Sequence, residues 1–142
     1  MFSKACEYGI KIMIYLAKVK DENRMVGVKE ISKAIDSPEA FTAKILQELA
    51  KQNLLLSLRG PHGGFQVNKD ECPIMLAKVV YAIDGEGLTS HCVLGFKTCS
   101  GEHPCPVHHK FVAIRDHLKG MLMTTTIEEV AQQVDEGTYF LT

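Results

Sequence analysis

The chain has 142 residues, 46% hydrophobic and 23% charged, with a formal net charge of −1 at pH 7. That length suits one domain with a real core, and that composition excludes a disordered chain. There is no eighteen-residue apolar run, and lysines thread the opening MFSKACEYGIKIMIYLAKVK, which lacks a small-residue cleavage site. No membrane partner and no secretory signal are therefore expected, and the chain is expected to be cytoplasmic.

The spacing predicts a first helix over residues 3–19, apolar on more than one side and hence buried on more than one side. Cys6, within it, reads as a small buried hydrophobe, as does the isolated Cys72. After the polar break DENRMVG, Val28–Ile35 predicts a short helix with Val28, Ile31 and Ile35 as its stripe. Ser37 then reads as an N-cap, with Pro38 at the first helical position and Glu39 in the first turn. The helix they open, Pro38–Gln52, is expected to bury Phe41, Ile45, Leu46 and Leu49 and to turn Thr42, Lys44, Gln47, Glu48 and Lys51 outward, with Asn53 as its stop.

A short helix, a tight turn and a longer helix with a polar outer face form a helix-turn-helix pattern. LLLSLRGPHGGFQV continues it as a strand (54–59), a turn (60–64) in which Gly63 and Gly64 supply positive φ, and a strand (65–67). A hairpin in that place reads as a wing, with Arg59 placed for a minor groove and His62 for phosphate. Residues 1–70 carry eleven Lys/Arg against eight Asp/Glu, whereas residues 71–142 carry five against nine. The basic bias of the first half suits a polyanionic partner.

Pro73–Ile83 predicts a further apolar helix, ended by Asp84-Gly85-Glu86-Gly87. Residues 92–109, CVLGFKTCSGEHPCPVHH, gather three cysteines and three histidines among glycines and prolines that deny the segment a regular element. A long helix over about 109–124 follows. Phe111, Ile114, Leu118 and Met121 recur on it at heptad-like spacing, which reads as a homodimer seam. TTTIEEVAQQV reads as a last, acidic helix.

The thiols are spaced Cys92-x6-Cys99-x5-Cys105-x2-His108, without the tight cysteine pair that usually chelates zinc. Wide spacings suit an iron–sulfur cluster; structural zinc and thiol redox chemistry remain open. No phosphate-cradling loop, dinucleotide fingerprint or catalytic constellation is present, so no enzyme is expected.

Taken in order, Glu7-Tyr8-Gly9 on the first helix, the helix-turn-helix, Arg59-Gly60-x-x-Gly63-Gly64 in the wing, the three-cysteine loop and the long helix resemble the IscR/NsrR-type winged-helix regulators of bacteria (the Rrf family) over essentially the whole chain. The resemblance implies a mainly α fold with a small β-hairpin wing. It implies a homodimeric transcription factor on a double-stranded, pseudo-palindromic DNA operator. Residues 1–84 would form the winged domain, 85–107 the cluster loop, and 108–142 the dimerisation and C-terminal helices. Ser37, Thr42, Lys44, Gln47, Lys51, Arg59, His62, Gly63 and Gly64 would face DNA. Cys92, Cys99 and Cys105 would ligate an iron–sulfur cluster, with [2Fe–2S] favoured over [4Fe–4S]. His108, or else Glu7 of the partner subunit, would be the fourth ligand. The six-residue gap between Cys92 and Cys99 is a little longer than the family's pattern. The alternative is a zinc-stabilised or thiol-based winged-helix regulator without a cluster.

Overall fold

The computed structural model describes residues 1–137, 140 and 141. In chain order these form α1 (Lys4–Lys18), α2 (Val28–Ala34), α3 (Glu39–Lys51), a hairpin of β1 (Leu55–Leu58) and β2 (Gly64–Val67), α4 (Leu76–Asp84), the single turn α5 (Gly87–Ser90), α6 (His108–Thr124) and α7 (Ile127–Asp135). The fold is mainly α with one antiparallel hairpin, as the sequence leads one to expect.

Ser3 opens α1: its hydroxyl accepts from the Cys6 amide at 3.0 Å, satisfying one of the free N–H groups of the first turn. Ser3 N also donates to Asp84 Oδ2 at 2.8 Å, which ties the start of α1 to the end of α4. Seven residues of α1 are buried, on several sides. Gly9 is among them because a Cβ there would collide with the Ile83 side chain from α4. The glycine costs helix propensity of about 1 kcal/mol and lets the two helices approach.

Around α1 runs one core of Ile12, Met13 and Leu16 with Ile31, Ile35, Leu46, Leu49, Val79 and Ile127, so α2, α3, α4 and α7 all close on the same helix. The C-terminal helix α7 thus returns to the N-terminal one. Residues 138, 139 and 142 of the 108–142 segment lie outside the described residues. A second, smaller cluster joins Cys6, Ala77, Val80 and Leu122, with Leu118 packed against it, and seats the second half of α6 on α4 and α1.

Three local expectations change. The N-cap of α3 is Pro38, whose backbone is extended (φ −61°, ψ 136°), not Ser37. Ser37 is half-buried and its hydroxyl is hydrogen-bonded to that of Thr42. Thr42 in turn donates to the Pro38 carbonyl at 2.9 Å and is fully buried, so it does not face outward. Helix α4 begins at Leu76 rather than Pro73. The backbone of the residues before it is engaged elsewhere: Ile127 N donates to Ile74 O at 2.8 Å, and Leu76 N donates to Thr125 O at 2.9 Å. Finally, Gly64 takes the positive φ (149°) and so does Gly60 (114°), but Gly63 does not.

Candidate cysteine centre and DNA-reading surface

The hairpin pairs Leu55 with Val67 and Leu58 with Gly64. Beyond it, Val26 and Phe65 exchange backbone hydrogen bonds at 2.8 Å each, which docks the wing on the segment leading into α2. A Cβ on Gly64 would lie 2.5 Å from the Val26 carbonyl oxygen, so only glycine allows that contact.

Between α3 and the wing lies a groove of about 750 Å³ whose lining includes Gln47, Lys51, Ser57, Arg59, Gly63 and Gly64. Lys44, Gln47, Lys51, Arg59 and His62 are exposed, while Ser37 is half-buried and Thr42 is out of reach of any partner. Ser57 joins this surface without having been singled out from the sequence. Strand alternation places Ser57 on the same face as Arg59, which was the available signal.

The long helix splits the four-residue seam. Ile114 is 59% exposed and Met121 43% exposed, whereas Leu118 packs against the small core and Phe111 is half-buried.

The cysteine segment holds two pairs of donors. Cys99 Sγ lies 3.5 Å from Nδ1 of His108, the first residue of α6, which is itself buried. Arg115 Nη1 donates to the same sulfur at 3.2 Å. Cys92 is buried, with the Cys105 side chain among its neighbours. Burial pushes the Cys92 thiol up. The Phe96 and Leu94 amides, the Cys105 side chain and the Gly95 amide outweigh that and hold it below its ordinary value. His108 N donates to Cys105 O at 3.0 Å, so the second pair adjoins the first through one turn of chain. An open cleft of about 460 Å³ lies beside Cys105, lined by Phe96, Lys97, Thr98, His103, Pro104 and Pro106.

The donor set fits a thiolate-ligated iron group in its chemistry: three thiols, one imidazole and a guanidinium donating to one of the sulfurs. Among the described residues, no three His, Cys, Asp or Glu side chains converge on one metal-sized point, so the expected quartet stands as two neighbouring pairs. Glu7 pairs with Lys4 at 3.1 Å and lines a cleft between α1 and α7 with Phe2, Ile10 and Val134. The other two thiols are of a different kind. Burial, followed by Asp84, pushes Cys6 up to about 12, and burial, followed by Glu128, pushes Cys72 up to about 11.

A helix-turn-helix followed by a docked hairpin defines a winged-helix protein. The family model described as Rrf2, iron-dependent transcriptional regulator, matches residues 2–133. The chain belongs to the Rrf2 family, whose members are transcriptional regulators and not enzymes. It is 31% identical over 132 residues to an HTH-type transcriptional regulator of Aquifex aeolicus, covering 92% of this chain and 90% of that one. It is 28% identical over 123 residues to the HTH-type transcriptional regulator IscR of Photorhabdus laumondii, covering 87% of this chain and 74% of that one. Its fold is similar to that of CymR, the global cysteine regulator of B. subtilis, with a TM-score of 0.78 at 24% identity over 93% and 96% of the two chains. It is also similar to the T. potens IscR structure, with a TM-score of 0.76 at 18% identity over 98% and 91%. Among the described residues, no helix is long and apolar enough to cross a membrane.

Proposed function

We propose that this Rrf2-family regulator acts as a homodimer on operator DNA and senses iron–sulfur, redox or nitric oxide status through a cluster held by Cys92, Cys99, Cys105 and His108. The observation that carries the reading is the Cys99–His108 contact at 3.5 Å, with Cys105 one turn before His108 and its carbonyl accepting from the His108 amide at 3.0 Å. Glu7 of the partner subunit is the competing fourth ligand. When bound, such a cluster supplies an anionic centre that responds to oxidants, nitric oxide and iron supply.

The residues of this chain do the rest. The loop between Asp84 and α6 has its large apolar side chains, Val93, Leu94 and Phe96, about half exposed, so little core burial orders it. Ligation of its thiols would fix it. The loop leads straight into α6, whose exposed Ile114 and Met121 are the proposed contact with a second copy. Its conformation would therefore set the spacing of the two α3 helices, which present Lys44, Gln47 and Lys51 to successive major grooves. Arg59 would follow the adjacent minor groove and His62 the phosphates, with Gly63 and Gly64 letting the wing approach.

Protein purified without oxygen tests the reading. Equal amounts of iron and acid-labile sulfide are expected, with visible absorbance that Cys92→Ala, Cys99→Ala and Cys105→Ala each abolish. His108→Ala should keep a shifted spectrum and lose it faster in air. Zinc without sulfide would turn the reading to a structural metal. Glu7→Ala behaving as expected of His108→Ala would move the fourth ligand to the partner's α1.

A further inference from the structure

Arg115 stands seven residues after His108 on α6, two turns along the same face. Both side chains meet one atom, the Cys99 sulfur: His108 Nδ1 at 3.5 Å and Arg115 Nη1 at 3.2 Å. Arg115 is half-buried, and among the described residues no carboxylate pairs with it. A guanidinium always carries its charge, and a neutral thiol is a weak acceptor for it. An anionic sulfur, the form in which cysteine ligates metal, offers a charge-assisted hydrogen bond instead.

We propose that Arg115 is the positioning residue for Cys99, holding that sulfur against α6 and balancing its charge when it is a ligand. Cys99 is then the thiol through which the loop is fastened to the proposed dimer helix. This inference rests on the cluster reading above. Hydrogen bonds to ligand sulfurs tune the potential and stability of a thiolate-bound iron centre, and loss of an outer partner typically weakens metal binding about 10–100-fold. Taking a cationic donor away from the sulfur disfavours the more negative, reduced state, so the reduction potential should fall.

The variants are Arg115→Ala and Arg115→Lys; alanine is the best helix former, and circular dichroism checks that α6 persists. Three quantities are read: the reduction potential, the rate of anaerobic iron loss to a chelator, and amide hydrogen exchange over residues 97–101 in metal-free protein. Arg115→Ala should show a lower potential and iron loss at least about 10-fold faster than wild type, with partial restoration by lysine. An iron-bearing Arg115→Ala with the wild-type potential and loss rate overturns the inference. If the wild type itself carries neither iron nor sulfide, the cluster reading fails separately, and the exchange measurement decides the anchor. Faster exchange over 97–101 in Arg115→Ala, restored by lysine, supports it; exchange equal to wild type overturns it.

Discussion

At the scale of single residues, the chain separates chemically active side chains from structural ones by their surroundings. Cys6 is sealed in a core, whereas Cys99 touches an imidazole and a guanidinium. The candidate donors were legible because cysteine and histidine are rare residues whose clustering survives without any knowledge of the fold. Arg115 was not, since its contact depends on the loop folding back along two turns of α6. Thr42 differs for another reason: it lies three, four and seven residues before Ile45, Leu46 and Leu49, so the helical period puts it on the buried face, and only its polar side chain suggests otherwise. Its hydroxyl is satisfied there by Ser37 and the Pro38 carbonyl. Glu30 offers a test of the electrostatics. Its carboxylate accepts from Arg24 at 2.7 and 2.9 Å and from Tyr15 at 2.8 Å. Arg24, followed by Tyr15, holds it below its ordinary value of 4.5. A depressed carboxylate stabilises the fold above its unfolded value, and that stabilisation is lost as pH falls through the folded one. The pair is largely exposed, so Glu30→Gln should cost only about 0.5–1 kcal/mol at pH 7. The difference from wild type should vanish in acid, as urea titrations across pH would show.

At the scale of elements, most helices were readable because their apolar period, caps and breakers agree. Asn53 has the positive φ expected of a helix stop (62°), and Gly85 ends α4 in a region open essentially to glycine alone (φ 73°, ψ −172°). The start of α4 was not readable, since nothing local in Pro-Ile-Met reveals that a segment some fifty residues later claims its backbone. The wing was visible as a hairpin, but its anchorage on Val26 was not, because a single bridge to a remote residue leaves no pattern. That anchorage yields a prediction. Gly64→Ala combines an unfavourable φ with a clash against the Val26 carbonyl, and should destabilise the domain by about 1–3 kcal/mol. Thermal unfolding measures the cost. In gel-shift assays below the new melting temperature, operator binding should weaken because the wing is displaced. Gly101→Ala, where nothing lies within 4 Å of the added Cβ, is the control expected to melt like wild type.

At the scale of the whole molecule, the winged head and the cysteine loop are joined through α6, half of which is seated on α4 and α1 while Ile114 and Met121 stay exposed. The heptad-like spacing predicts an interface on this helix, but spacing does not say whether an apolar residue meets its own chain or the proposed second copy. Leu118 meets its own chain. Ile114→Glu with Met121→Glu should therefore give a folded monomer by light scattering that no longer holds its operator, whereas Leu118→Glu should also lower the melting temperature. A double variant that remains dimeric would place the interface elsewhere.

The central claim, that the state of the cysteine loop governs DNA reading, is tested most directly by one titration. An operator is selected in vitro with anaerobically purified protein, and its Kd is measured at fixed salt for that preparation and for the same preparation stripped of iron by a chelator. Coupling of about 1–3 kcal/mol, a change of roughly 5- to 150-fold in Kd, is predicted. Equal affinity before and after complete removal of iron, with the dimer intact in both, would contradict the account.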